Sequence, residues 1–169
     1  MSRDVWLILG GARSGKTRRG LALSSGYAAR IFIATAEARD GEMQERIAHH
    51  RTKRGGGWRT IEAPLDLCGA LRNADSAGTA ILVDCLTLWL SNLMERGRSI
   101  ETETALLSET LSTLSTTVIL ISNEVGWGIV PDNALARRFR DAQGRLNQAI
   151  AALADHVELM VAGLPLKIK

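Results

Sequence analysis

Short, almost uninterrupted apolar runs alternate along the chain with longer segments of helical periodicity. Five runs are rich in valine and isoleucine and are bounded by turn residues, a pattern that predicts strands buried on both faces of a parallel sheet. They cover residues 5–9, 30–34, 80–83, 117–122 and 157–162. A weaker strand is predicted at Trp58–Glu62.

Five segments between these runs predict helices. Residues 16–24 follow the first strand directly, and the others cover 42–54, 86–95, 100–114 and 133–154. Asp132, after Pro131, is the predicted cap of the last and longest helix. Strands that alternate with helices indicate βαβ units. We therefore predict an α/β fold with a mostly parallel sheet covered by helices on both faces, as one domain over residues 1–169.

Composition narrows the class of protein. The 169 residues are 46% apolar and 23% charged, which is typical of a globular chain that buries a core without disulfides or a structural metal. A net charge of +3 argues against nucleic-acid binding, while local basic clusters at 46–54 and 137–140 fit a compact anionic ligand. Cys68 and Cys85 are expected to be small buried hydrophobes. No run approaches the ~20 apolar residues of a membrane span, so we expect a cytoplasmic protein.

A glycine-rich segment after the first strand satisfies the pattern G-x-x-x-x-G-K-[ST] in full. Its backbone N–H groups are expected to point at phosphate oxygens, with the dipole of the following helix adding to the attraction. Lys16 would place a positive charge on the β- and γ-phosphates, and the Thr17 hydroxyl would ligate Mg²⁺. The alternative is a glycine loop that serves only packing. The segment consists of Gly10, Gly11, Ala12, Arg13, Ser14, Gly15, Lys16 and Thr17.

An acidic residue ends the strand predicted at 80–83. P-loop enzymes commonly hold Mg²⁺ with such an acid at the end of a second hydrophobic strand. Asp84 occupies this position and is our candidate for the metal-associated acid. The alternative is that Asp84 caps the helix that begins at Leu86.

Two of the three histidines are adjacent, in the basic segment at 42–54. On a helix, His50 and Arg54 would share a face, and neighbouring guanidinium groups disfavour protonation of an imidazole. A neutral imidazole is a competent nucleophile toward phosphorus. From spacing alone, however, a solvated basic helix with incidental histidines is the favoured interpretation. His156, which precedes the last apolar run, is expected to be structural.

Several segments together resemble the bifunctional adenosylcobinamide kinase / adenosylcobinamide-phosphate guanylyltransferase family. The resemblance extends over nearly the whole chain, and the histidine and asparagine segments are its most specific parts. Beyond the glycine-rich loop, the segments are Ile33-Ala34-Thr35-Ala36, His50-Arg51-x-x-Arg54, Trp58-x-Thr60-Ile61-Glu62-x-Pro64, Val83-Asp84-Cys85-Leu86-Thr87 and Asn123-Glu124-Val125-Gly126-Trp127-Gly128-Ile129-Val130-Pro131.

The resemblance implies two reactions on a corrinoid. The first phosphorylates the aminopropanol hydroxyl of adenosylcobinamide with ATP or GTP. The second transfers GMP from GTP to a histidine and then to adenosylcobinamide phosphate, giving adenosylcobinamide-GDP and pyrophosphate. His50 matches the family's nucleophile, with His49 the weaker candidate. The family is similar in fold to RecA-type P-loop NTPases and forms homotrimers.

The other roles implied by the resemblance concern nucleotide binding. The glycine-rich loop would hold the triphosphate, and the segment after the second strand would line the nucleotide site. Residues after His50 would contact guanine nucleotide together with an acid at the end of the weaker strand. Ala36 stands where the family often has serine, so a side-chain hydroxyl contact there is in doubt. These residues are Ala34, Thr35, Ala36, Arg51, Thr52, Lys53, Arg54 and Glu62.

Two other functions compete with this one. The first is a single-activity P-loop kinase of another small alcohol, in which the histidines are structural. The second is a nucleotide-gated assembly protein without a small-molecule product. Transfer of GMP from GTP to the protein distinguishes the bifunctional enzyme from the first, and turnover of cobinamide distinguishes it from the second.

Overall fold

A computed structural model describes residues 3–37 and 56–169. Seven described strands form one sheet in the order β3-β2-β4-β5-β1-β6-β7. All neighbouring pairs are parallel except β6 and β7, which confirms the predicted mostly parallel sheet. The strands are β1 (Val5–Gly10), β2 (Ala29–Ala34), β3 (Trp58–Glu62), β4 (Thr79–Asp84), β5 (Thr117–Ile121), β6 (His156–Val161) and β7 (Leu164–Lys167).

The described helices are capped by side chains in three cases. Asp66 accepts a hydrogen bond from the backbone N–H of Gly69, and Asn133 accepts one from that of Ala136. Asn133 is therefore the cap of the last helix, and the prediction of Asp132 was wrong by one residue. Ser99 is the third capping residue. The helices are α1 (Lys16–Leu23), α2 (Leu67–Ala74), α3 (Leu86–Glu95), α4 (Ile100–Thr113) and α5 (Ala134–Leu153).

Helices cover both faces of the sheet, as predicted. Buried side chains of α2, α3, α4 and α5 form one core with Leu7, Val83 and Leu120 of the strands. On the opposite face, α1 packs with a second cluster that contains Ile8, Leu82 and Ile119. The strand residues of the two clusters alternate because successive side chains of a strand point to opposite faces. Within the described ranges, no helix combines the length and apolarity needed to span a bilayer.

Two described elements were not predicted, helix α2 and strand β7. The predicted helix at 42–54 lies outside the described residues and stays a prediction. Strand β7 follows a two-residue turn at Ala162 and Gly163, whose φ angles of 52° and 83° are those of a tight antiparallel hairpin. His156 stacks on Trp6 with ring centroids 4.0 Å apart, in agreement with a structural role.

Candidate functional site

The glycine-rich loop connects β1 to α1 in a conformation that requires glycine. Gly10 and Gly15 have φ angles of 148° and 97°, values that residues with a Cβ rarely adopt. A Cβ on Gly10 would also lie 2.7 Å from the carbonyl oxygen of Met160. Arg13 adds a left-handed residue with φ of 57°. Such alternation of backbone conformations turns successive N–H groups toward one point and creates an anion-binding concavity.

The ammonium group of Lys16 lies inside this loop. Its Nζ donates hydrogen bonds to the carbonyl oxygens of Gly10 and Gly11, at 2.8 and 2.6 Å. Burial lowers the pKa of Lys16, and the nearby Cys85 and Asp84 act in the opposite direction. The neighbouring groups compensate the burial of the Lys16 ammonium only in part. A phosphate bound in the loop would supply the remaining negative charge.

Thr17 and Asp84 are brought together from positions 67 residues apart. The Thr17 hydroxyl donates a 2.8 Å hydrogen bond to Oδ2 of Asp84, so both predicted metal ligands lie side by side. A hydroxyl oxygen and a carboxylate are the hard oxygen donors that Mg²⁺ prefers. The pair therefore fits Mg²⁺, which would be held there together with phosphate oxygens. Asp84 does not cap α3, whose N-cap is Cys85.

Thr35 holds the turn that carries Asp84. Its fully buried hydroxyl accepts a hydrogen bond from the N–H of Cys85 at 2.8 Å and donates one to the Cys85 carbonyl at 2.7 Å. Asn92 of α3 donates to the carbonyl of Thr35 at 2.8 Å. The Thr35 side chain is thus engaged with the Asp84–Cys85 turn, and the backbone of this segment is the part that can line a nucleotide site.

The sheet separates the remaining predicted residues. Ala34 lies in register with Asp84 on one side and with Glu62 on the other. Since β3 is four strands away from β1, Glu62 lies roughly 19 Å across the sheet from the phosphate loop at ~4.8 Å per strand. Ala36 is half-buried beyond the end of β2. The residues predicted around the nucleophile lie outside the described residues: His50, Arg51, Thr52, Lys53 and Arg54.

Two arginines that were not predicted as site residues attach α1 to β6 and to the turn that follows it. Arg19 forms a bidentate ion pair with the nearly buried Glu158 of β6, with both N···O distances 2.7 Å. Arg18 donates to the carbonyl of Gly163, whose N–H in turn donates to the carbonyl of Ser14. The hairpin of β6 and β7 thereby supports the phosphate loop. Nothing in the local sequence connects residues so far apart.

Both cysteines are buried, as expected. Burial, with a smaller effect of the neighbouring Asp84, raises the pKa of Cys85 from 9.0 to about 11. In the unfolded chain this thiol ionises near 9, whereas the folded protein keeps the proton. Deprotonation therefore favours the unfolded state, and the stability that Cys85 contributes is lost as the pH rises from 9 to 11.

We accordingly expect the difference in free energy of unfolding between wild type and Cys85→Ala to decrease by about 1.4 kcal/mol from pH 8 to pH 10. Urea denaturation of both proteins at each pH measures it. The comparison cancels the groups that titrate in this range independently of Cys85. A difference that stays constant over the two pH values would contradict the raised pKa.

Fold and site together define the class of the protein. A seven-stranded, mostly parallel sheet carries a phosphate loop after β1 and an acid that reaches Thr17 from the end of β4, which is the arrangement of a RecA-like P-loop NTPase. Solved structures share this fold at low identity. An ATPase of a bacterial type III secretion system matches 97% of this chain and 56% of its own, with a TM-score of 0.57 and 11% identity. A KaiC-like protein of Pyrococcus horikoshii matches 94% of this chain and 72% of its own, with a TM-score of 0.51 and 16% identity.

The chain belongs to the cobinamide kinase / cobinamide phosphate guanylyltransferase family, whose model matches residues 6–168. A bifunctional adenosylcobalamin biosynthesis protein, CobP of Pseudomonas aeruginosa, is 50% identical over 167 residues, which are 96% of each chain. Another, CobU of Salmonella typhimurium, is 41% identical over 179 aligned positions, which cover 96% of this chain and 98% of the relative. The family resemblance inferred from the sequence is therefore confirmed, and with it the kinase and guanylyltransferase class of enzyme.

Proposed function

We propose that this protein phosphorylates adenosylcobinamide with ATP or GTP and then transfers GMP from GTP, through a guanylylated His50, to adenosylcobinamide phosphate. The observation that carries the proposal is the preformed phosphate loop with the Thr17–Asp84 hydrogen bond, in a chain that matches the family over residues 6–168. Residues 1–169 would act as one catalytic domain.

In the kinase reaction, the described residues bind and orient the triphosphate. The N–H groups of the loop and Lys16 would hold the β- and γ-phosphates, and Thr17 and Asp84 would hold Mg²⁺. The ion would neutralise charge that develops on the phosphoryl oxygens. The alcohol oxygen of the corrinoid bonds to the γ-phosphorus, the bond from that phosphorus to the β–γ bridging oxygen breaks, and the alcohol proton is released to water.

In the guanylyl transfer, a ring nitrogen of His50 attacks the α-phosphorus of GTP and pyrophosphate departs. A phosphate oxygen of adenosylcobinamide phosphate then attacks the same phosphorus and displaces the histidine, giving adenosylcobinamide-GDP. The covalent intermediate divides one transfer into two displacements, each with a good leaving group. Arg51, Thr52, Lys53 and Arg54 would contact the guanine nucleotide beside His50, and Glu62 would join them from the end of β3.

We also propose that the protein is a cytoplasmic homotrimer. Large apolar side chains are exposed in the segment after β5: Trp127 is 77% exposed and Ile129 is 97% exposed. Exposed apolar residues that cluster in this way are typical of a surface covered by another subunit. The proposal predicts a sedimentation-equilibrium mass of three times the 18.3 kDa chain; a mass of one chain would contradict it.

The proposed function is tested by incubating the wild-type protein with GTP labelled at the α-phosphate. We expect a covalent label that forms with Mg²⁺, is lost in EDTA, and is labile in acid but stable in base, as a phosphorus–nitrogen bond to histidine is. The label should pass to cobinamide phosphate when that is added. A protein that phosphorylates cobinamide but takes no label would instead be the single-activity kinase, and a protein that does neither would contradict the proposal as a whole.

A further inference from the structure

Asn123 follows β5 at a position between the phosphate loop and the metal-associated acid. Strand β5 lies between β1 and β4 in the sheet. Its last residue, Ile121, is in register with Ile8 of β1 and with Asp84 of β4. Because all three strands are parallel, the chain that leaves β5 passes between Gly10 and Asp84 at the carboxyl edge.

The side chain of Asn123 projects on the same face of the sheet as α1 and Asp84. Parallel pairing with β1 continues past Ile121, since the N–H groups of Ser122 and Glu124 donate to the carbonyls of Ile8 and Gly10 at 3.0 and 3.1 Å. Side chains along this extended segment therefore alternate. Ile121 belongs to the α1 cluster and Ser122 bonds Asn147 of α5 on the opposite face, so Asn123 returns to the face of α1.

The backbone of Asn123 is held from both sides by buried polar side chains. Its N–H donates to the hydroxyl of Thr87 on α3 at 2.8 Å, and its carbonyl accepts from Nδ2 of Asn147 at 3.1 Å. Oδ1 of Asn147 in turn accepts hydrogen bonds from Ser122 and Gln143 at 2.6 and 3.0 Å. Ser122 and Gln143 are fully buried and Asn147 is nearly so.

These buried bonds engage the backbone of Asn123 and leave its carboxamide for another partner. Among residues 3–37 and 56–169, none hydrogen-bonds the Asn123 side chain. A buried network that fixes the backbone of Asn123, with its half-buried side chain on the face of α1 and Asp84, is the arrangement expected of a preorganised donor. A neutral amide also adds no negative charge on the face that carries Asp84.

We propose that the carboxamide of Asn123 donates a hydrogen bond to the γ-phosphate of the nucleotide in the phosphate loop. Lys16 would contact this phosphoryl group from the side of β1, Thr17 and Asp84 would hold Mg²⁺ on the side of β4, and Asn123 would reach the group from β5 between them. The donor stabilises charge on the phosphoryl oxygens while the corrinoid alcohol bonds to phosphorus and the diphosphate leaves. Thr87 and Asn147 are the positioning residues of this contact, which rests on the proposed kinase function.

The test compares Asn123→Ala with wild type in binding and in turnover. We expect the affinity for ADP to change less than twofold and that for a non-hydrolysable ATP analogue to fall about tenfold, which is roughly the loss of one charge-assisted hydrogen bond. The kcat for cobinamide phosphorylation should fall roughly 10²–10³-fold. Asn147→Ala should lower the affinity for the ATP analogue and the kcat by smaller factors than Asn123→Ala does, because the amide is displaced rather than removed.

Asn73→Ala is the matched control, since Asn73 is an exposed asparagine near the amino-terminal ends of β2 and β4. It should leave all three quantities unchanged. Equal losses of affinity for ADP and for the ATP analogue in Asn123→Ala would indicate a purely structural role and overturn the inference. Wild-type affinities for both nucleotides would also overturn it. If wild type fails to phosphorylate cobinamide, the proposed function falls, but the binding comparison still decides the role of Asn123.

Discussion

The His50→Ala protein is expected to take up no GMP from GTP, a loss of the whole covalent label. Without the imidazole of His50 the proposed nucleophile is missing, and neighbouring arginines are protonated and cannot replace it. Guanylyl transfer to cobinamide phosphate should fall to the background of the assay. Phosphorylation of cobinamide should persist, because that reaction depends on the phosphate loop. The label is measured on the isolated protein after incubation with α-labelled GTP and Mg²⁺.

His49→Ala is the matched control and should label fully. Adjacent residues of a helix diverge by about 100°, so the two histidines of the predicted helix at 42–54 cannot both face one phosphorus. The opposite outcome, with His49→Ala unlabelled and His50→Ala labelled, would move the nucleophile by one residue. Full labelling of both single variants would exclude each as the sole nucleophile.

Replacement of Lys16 by methionine should reduce both activities, by roughly 10²–10³-fold in kcat, the range seen when one group that stabilises a transition state is removed. Methionine keeps the apolar stem but removes the ammonium that Gly10 and Gly11 hold in the loop. In the kinase reaction this charge acts on the γ-phosphate, and in guanylyl transfer it neutralises pyrophosphate as it departs. Initial rates of cobinamide phosphorylation and of covalent labelling measure the two effects.

Lys167→Ala, which removes an exposed lysine of β7, controls for the change in net charge and should be neutral in both assays. Thermal unfolding of Lys16→Met should be followed in parallel, since two loop carbonyls lose their donor. A Lys16→Met protein that loses kinase turnover but labels at the wild-type rate would contradict our assignment of GTP to the same loop. Normal rates in both assays would contradict any role of Lys16 in phosphate binding.

Local patterns in the sequence predicted the sheet well. Central strands such as β4 are buried on both faces, so that a continuous apolar run is sufficient to identify them. The pattern was weakest where burial is one-sided or the element is short. Helix α2 has eight residues, with Gly69 among them, and β7 contains Pro165 and is exposed throughout. Its pairing with β6 depends on the tight turn at Ala162 and Gly163, which local hydrophobicity does not encode.

The candidate site likewise has features that local sequence predicts and features that depend on contacts between distant residues. The phosphate loop was predictable because its function requires glycines and a lysine at fixed spacing in one segment. Asp84 was predictable because an acid after a buried strand is a local signal. The support of the loop by Glu158 and the hairpin, and the bond of Thr35 to Cys85, join residues far apart in the chain. No spacing rule covers such contacts, since they arise only when the strands are ordered in the sheet.

The sequence by itself determined that this protein has a phosphate loop at residues 10–17, an α/β fold and the motifs of its family, because each depends on neighbouring residues. The tertiary structure decided which of these features meet. It placed Thr17 against Asp84 and put Asn123 between the loop and the acid. It also placed Glu62 four strands from β1. The reason is that strand order, which local sequence does not specify, determines the distances at the carboxyl edge of a parallel sheet.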